Sequence, residues 1–218
     1  MSVKDTILKS IKASFGLILF AFGVYLTVQA DIGLAPWDVF AMGISYCTPL
    51  TFGQVSIVIA FIIIIIDLFM KEKIGIGTIL DAILVGTFLD VFQNSNLIKT
   101  SDNLLFSILL ITVGMFIMAY SQYFYMSAGL SCGPKDSFQV GLGKRLKKIP
   151  IGMVNVMIMA VVFVAGFLLK GPVGIGTIYS VAGIGTIQQI VFNWMHFEPR
   201  NVSHVSIADM IKNEGSRR

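Results

Sequence analysis

Long apolar runs separated by short polar segments set the plan of this 218-residue chain. Inside a bilayer every backbone N–H and C=O needs an internal partner, so runs of about 17 to 25 apolar residues read as spanning helices. Six spans are predicted: Phe15–Ala30, Phe52–Met70, Thr78–Phe92, Leu104–Met126, Ile151–Leu169 and Thr177–Met195. The first and third are short for a hydrocarbon core of about 30 Å, so their flanking turns are expected to extend them. Two further segments, Asp38–Cys47 and Asp136–Lys148, are too short to cross, because ten helical residues reach only about 15 Å. The turns before them, Gly33-Leu34-Ala35-Pro36 and Gly129-Leu130-Ser131-Cys132-Gly133-Pro134, predict short helices that either re-enter the membrane or lie at its interface.

Composition agrees with this plan. Apolar residues make up 56% of the chain and charged ones 13%, with a mean hydropathy of +0.84, too hydrophobic for one soluble domain of this size. Twenty-one glycines suit helices packed backbone to backbone in lipid. Two cysteines and two histidines are too few for a disulfide framework or a protein-only zinc site. No nucleic-acid module or soluble catalytic domain fits between the spans. The net charge is +4, and fourteen of the sixteen Lys and Arg fall in alternate segments. These are Lys4, Lys9 and Lys12; Lys71 and Lys73; Lys135, Lys144, Arg145, Lys147 and Lys148; and Arg200, Lys212, Arg217 and Arg218. Only Lys99 and Lys170 remain for the opposite face. Cytoplasmic loops collect basic residues, so both termini are expected in the cytoplasm. A secretory signal ending at Val28-Gln29-Ala30 is the weaker reading, since the repeat described next needs the first helix as partner of the fourth.

The chain carries one pattern twice. Pro36-Trp37-Asp38-Val39-Phe40 with Gly43 matches Pro134-Lys135-Asp136-Ser137-Phe138 with Gly141, 98 positions later. Gly53 matches Gly152, Gly75-Ile76-Gly77-Thr78-Ile79 is identical to Gly174-Ile175-Gly176-Thr177-Ile178, and Gly86-Thr87 matches Gly185-Thr186, all 99 later. Gly33-Leu34 matches Gly129-Leu130 at 96, which predicts two extra residues within Ser131-Cys132-Gly133. Residues 1–12 are then a cytoplasmic N-terminus, 13–98 a first repeat, 99–196 a second and 197–218 a cytoplasmic tail. Each copy holds three spans, an odd number, so the second is expected to be inverted relative to the first, as in many secondary transporters. The fold class predicted is therefore an all-α membrane protein of six transmembrane helices in two inverted three-helix repeats, each with a short re-entrant or interfacial helix.

Acidic residues inside a membrane are costly and usually functional. Asp67, four residues before Lys71, reads as an exposed ion pair, and Thr78 to Asp81 has capping-box spacing. Asp38 and Asp136 each follow a proline at a helix start and recur in both copies, as N-caps or as gate and substrate ligands. Asp90, twelve residues beyond Thr78, lies about 18 Å along its helix with no cation within a turn, and its counterpart is Gln189. A carboxylate and an amide facing each other at mid-membrane are predicted to bind a proton, a cation or a polar solute. Gln122, and Asn155 with its counterpart Ser56, are expected to line the same cavity or to hydrogen-bond between helices. Gly75-x-Gly77 and Gly174-x-Gly176 read as tight turns and close-packing points rather than a phosphate loop, since no lysine or strand accompanies them.

The Gly33-Leu34-x-Pro36-Trp37-Asp38 segment, together with Gly75-Ile76-Gly77-Thr78 and its later copy, resembles the YczE/YyaS/YitT-like family of bacterial integral membrane proteins. The resemblance runs through about Met195; it implies a bacterial plasma membrane and a multi-pass fold and supplies no catalytic residues. Lys135 stands where the first copy has Trp37, so the two half-sites differ. The expected function is a small transporter or permease for a small polar or charged metabolite, with Asp90 as the proton or cation site. The alternative is a non-transporting accessory or regulatory protein acting through a partner complex. An enzyme is not expected, since no nucleophile–base pair or metal-ligand spacing is visible. Nor is a cofactor or metal. Expected partners are the lipid bilayer and a small-molecule or ion substrate, with no nucleic acid; an oligomer is left open.

Overall fold

The structure is a computed structural model that describes residues 3–100, 103–130 and 132–198. The sequence readings on Asp102, Ser131 and the tail beyond residue 198 lie outside the described residues. Among the described residues there are eight helices and no strand: α1 (Val3–Gln29), α2 (Pro36–Cys47), α3 (Phe52–Phe69), α4 (Ile76–Ser95), α5 (Leu104–Ser127), α6 (Pro134–Arg145), α7 (Ile151–Leu168) and α8 (Ile175–Trp194). Five of them, α1, α3, α4, α5 and α8, are long and apolar enough to cross a membrane, and α7 contributes a shorter apolar helix, Gly152–Leu168. The protein is thus a multi-pass helical membrane protein. α1 begins at Val3 rather than Phe15 and α4 extends to Ser95, because no glycine or proline interrupts either flanking turn.

Helix ends follow local chemistry. Thr51 caps α3 reciprocally: its hydroxyl accepts from Gln54 N at 3.1 Å, and its own N–H donates to Gln54 Oε1 at 3.1 Å, a box that contributes about 1 kcal/mol. Asn103 Oδ1 caps α5 by accepting from Leu105 N at 2.9 Å. α2 and α6 start on prolines with no side-chain cap, proline being preorganised for the first helical position.

α1 and α5 form a central pair; α4 packs on α1 and α8 on α5, while α2 lies against α7 and α6 against α3. Exchanging the two halves of the chain leaves these pairings unchanged. Small residues make the central contact possible: a Cβ on Gly23 would sit 2.8 Å from Gly114 O, and one on Gly114 only 2.7 Å from Gly23 O. Tyr25, fully buried, both donates to Ile98 O (3.1 Å) and accepts from Ile98 N (2.9 Å), pinning the turn after α4. Outward faces are apolar, as at Leu105 (78% exposed) and Val161 (69%), which suits contact with lipid.

The turns after α1 and α5 keep a single offset. α1 ends at Gln29 and α5 at Ser127. Asp31 (φ 49°) and Gly129 (φ 69°) take the left-handed position behind them. Asp31 N donates to Val28 O and Gly129 N to Met126 O. Gly176 N then donates to Ile32 O at 2.7 Å, and Gly77 N to Leu130 O at 2.9 Å. The turn residues of these pairs, from Val28 and Met126 to Ile32 and Leu130, stand 98 apart, like Pro36 and Pro134, and Gly77 and Gly176 stand 99 apart. The two extra residues read from Gly33-Leu34 are therefore not there. Gly129 is a helix terminator, whereas Gly33 (φ 106°) is a docking residue against Gly174.

Asp67 is not an exposed ion pair. Its side chain is buried, and neither carboxylate oxygen has a hydrogen-bond partner among the described residues. Lys71 leaves α3 in a left-handed conformation (φ 58°), and the carboxylate that finds a lysine is Glu72, bonded to Lys144 at 2.6 Å.

One departure from the exchange symmetry stands out. α3 and α4 pack closely, with Gly53 against Gly86 O and Gly86 against Gly53 O. α7 and α8 scarcely touch, and Gly152 and Gly185 have no atom within 4 Å of a would-be Cβ. Gly86→Ala is therefore expected to cost about 1 to 3 kcal/mol through overpacking. Gly185→Ala should leave stability unchanged or raise it by up to about 1 kcal/mol through helix propensity. Melting of the detergent-solubilised variants checks the contrast.

Candidate functional site

Both short helices begin on a proline, and their starts meet at one place. Trp37 is the second residue of α2 and Lys135 the second of α6; the Lys135 ammonium lies 5.1 Å from the centre of the Trp37 ring. Between these tips is a cavity of about 770 Å³ to which all eight helices contribute. Its walls are apolar at Phe20 and Val24 of α1, Leu89 of α4, Met118 of α5 and Ile184 of α8. Its polar lining comes from Asp38, Ser56, Asp81, Gln122, Tyr125, Lys135, Asp136, Gln139, Asn155, Thr177 and Ser180. On the α4 side the lining residues Ala82 and Leu89 are 3% and 2% exposed, whereas Ile178 and Val181 of α8 are 74% and 58% exposed. The cavity thus opens into the gap between α7 and α8.

Of the six residues singled out from sequence, Asp38, Gln122, Asp136 and Asn155 line this cavity together. Tyr125 donates its hydroxyl to Asp136 Oδ2 at 3.0 Å. Asp90 and Gln189 do not line it, and they do not form a facing pair. Asp90 Oδ1 accepts from Gly53 N at 2.8 Å, and Oδ2 makes a short hydrogen bond with the Thr51 hydroxyl. Asp90 therefore ties α4 to the start of α3, where the helix N-terminus favours a negative charge. Gln189 is exposed and donates to Asn193 Oδ1 at 2.9 Å. The physical reason lies 99 positions from Thr51: Pro150 occupies the equivalent place and offers neither a hydroxyl nor an N–H.

Asp81 was missed as a site residue. α4 starts at Ile76, and the Thr78 hydroxyl accepts from Gly75 N (3.3 Å) while donating to Cys132 O (2.8 Å). The cap is therefore at Gly75, and Asp81 lies beyond the first turn, facing the cavity. A Cβ on Gly133 would run into Asp81 Oδ2 and sit 3.7 Å from Asp136 Oδ2, so both carboxylates converge on one glycine. The signal available in sequence was the repeat itself: the counterpart Ser180 is also polar, and it lines the same cavity. The Lys135 charge acts on both Asp38 and Asp81. Among the described residues no three His, Cys, Asp or Glu side chains gather closely enough to hold a metal ion. Chemically, the arrangement offers three carboxylates, one ammonium, three amides and four aromatic rings around a space large enough for a small solute.

Comparison with known proteins agrees with the membrane architecture. YczE of Bacillus subtilis (strain 168), described as an uncharacterized membrane protein, is 33% identical over 174 residues, covering 79% of this chain and 80% of its own. An uncharacterized protein of Haemophilus influenzae is 27% identical over 179 residues, covering 82% and 81%. YyaS of Bacillus subtilis, also uncharacterized, is 26% identical over 170 residues, covering 76% and 83%. These likenesses bear out the resemblance read from the Gly33–Asp38 and Gly75–Thr78 segments. No solved structure matches. Residues 7–193 match the family of unknown function DUF6198, and the chain belongs to that family.

Proposed function

We propose that the protein is a secondary transporter of the bacterial plasma membrane that carries a small polar or charged metabolite by alternating access of two inverted repeats, residues 13–98 and 99–196. Both termini are placed in the cytoplasm in this reading, which the distribution of Lys and Arg supports. The observation that carries the reading is the unequal state of one glycine pair: Gly53 and Gly86 are in contact, while their counterparts Gly152 and Gly185 stand apart. Two copies of one device in opposite settings are what an alternating carrier needs in each of its states. In this orientation the closed pair lies toward the outer face and the open pair toward the cytoplasm, an inward-open arrangement. The reverse state closes Gly152 on Gly185 and opens α3 from α4. Asp90 is then a latch on the outer gate rather than the transported ion's ligand.

With Cys47 and Cys132 replaced by serine, Gln122→Cys places a thiol in the cavity for an impermeant maleimide. It is expected to label from the cytoplasmic side. Adding Gly152→Cys and Gly185→Cys and oxidising them to a disulfide should move labelling to the outer side, and reduction should restore it. Labelling from one side throughout overturns the alternating mechanism.

The latch has its own signature. Asp90→Ala is expected to raise outer-side labelling at position 122 several-fold, with Thr51→Ala in the same direction, while Gln189→Ala leaves it unchanged. Equal effects of Asp90→Ala and Gln189→Ala would remove the latch assignment.

A further inference from the structure

Carboxyl groups outnumber ammonium groups around the cavity. Asp38, Asp81 and Asp136 face a single ammonium, that of Lys135. The starts of α2 and α6 add about half a positive elementary charge each. No hydrogen bond from a described residue reaches the carboxylate of Asp38 or Asp81; the ammonium that lines the cavity with them is that of Lys135. One lysine is thereby shared between two carboxylates and an indole ring.

A second, independent feature says what kind of cation fits. The Trp37 ring already carries an ammonium at 5.1 Å, within the range where a ring face attracts a cation. That ammonium sits at the end of an exposed, flexible side chain. It is tethered, and it can withdraw when another cation takes its place. A bare metal ion does not suit the site, because calcium, for example, needs six to eight oxygens at about 2.3 to 2.6 Å, and no three carboxylates gather in that way among the described residues. The apolar walls and the volume of about 770 Å³ leave room for carbon substituents.

We propose that the cavity binds a small organic monocation, an amine or guanidine in its protonated form, which displaces Lys135 from Trp37 and lies between Asp81, Asp136 and Asp38. The proposal rests on this cavity being the carrier's binding site and deepens that reading by naming the substrate class. Lys135 is then an internal competitor, which sets an affinity low enough for release. Gln122, Gln139 and Asn155 remain to orient the polar parts of the solute.

The test uses the full chain in nanodiscs. Trp194→Phe leaves Trp37 as the sole tryptophan of the two in the chain, and its fluorescence is titrated with n-butylammonium, guanidinium, n-butanol, butyrate and sodium chloride. The expected result is a saturable change with the two organic cations and at least tenfold weaker responses to the alcohol, the carboxylate and sodium. Asp81→Asn should weaken cation binding by about tenfold or more. Lys135→Gln should strengthen it several-fold, the opposite of what an anion site would do, with melting curves confirming that the variants are folded. Tighter binding of butyrate, an equal response to sodium, or loss of cation binding in Lys135→Gln overturns the proposal, and the probe series on the unmodified site decides the matter even where a variant does not fold. Binding is read without flux, so the outcomes separate. Cation binding without a switch in labelling side would sink the alternating mechanism alone, and a switch without cation binding would sink this assignment alone.

Discussion

The constraint on which this architecture depends is that backbone polar groups without water must find partners within the protein. Helices meet it by themselves; the turns after α1 and α5 do not. They are satisfied by each other's halves. The start of α8 donates Gly176 N to Ile32 O, and the start of α4 donates Gly77 N to Leu130 O. Only backbone can come so close. A Cβ on Gly176 would sit 2.6 Å from Gly33 O, and one on Gly77 2.8 Å from Leu130 O. The repeated Gly-x-Gly-Thr is thus a docking surface for a non-helical turn, and its threonine closes the helix start behind it. These two docks fix where α2 and α6 begin, and hence where Trp37, Asp38, Lys135 and Asp136 are held.

Much of this was legible in the sequence because its causes are local or repeated. Apolar runs located the long helices, proline located the starts of α2 and α6, and the recurrence of Pro-x-Asp brought Asp38 and Asp136 forward as a pair. What was not legible depends on contacts between distant residues. Asp90 looked like an unpaired carboxylate because its partners, Thr51 and Gly53, belong to another helix. Asp81 looked like a cap because its distance from Thr78 allowed it, and only the true start of α4 at Gly75–Ile76 shows otherwise. Asp67 looked like half of a surface pair because Lys71 is four residues on. The helix ends between them, and Glu72 takes the role instead. Matching by residue identity also misled at Gly33-Leu34, where spatial equivalence follows the left-handed positions Asp31 and Gly129.

The differences between the halves are as informative as the likenesses. In the proposed carrier, a perfectly symmetric pair of repeats would place equal free energy in its two orientations. Here Thr51 and Asp90 hold the first half closed, and Pro150 and Gln189 cannot reproduce that bond in the second. A charge-assisted hydrogen bond of this kind contributes about 1.5 to 3 kcal/mol. Under the proposed alternating mechanism, that is enough to favour one state by roughly tenfold or more without making the other inaccessible.

The same break in symmetry shapes the cavity. Trp37 and Lys135 occupy equivalent positions, so in a symmetric protein two rings or two ammonium groups would meet at the tips of α2 and α6. Two like charges there would repel, and two rings would leave three carboxylates without any cation. One of each gives contact between the halves and a partial counter-charge that can move aside. On the proposed reading, the mismatch that makes the half-sites unequal also lets the two tips meet without solute, while leaving the carboxylates available to an incoming cation.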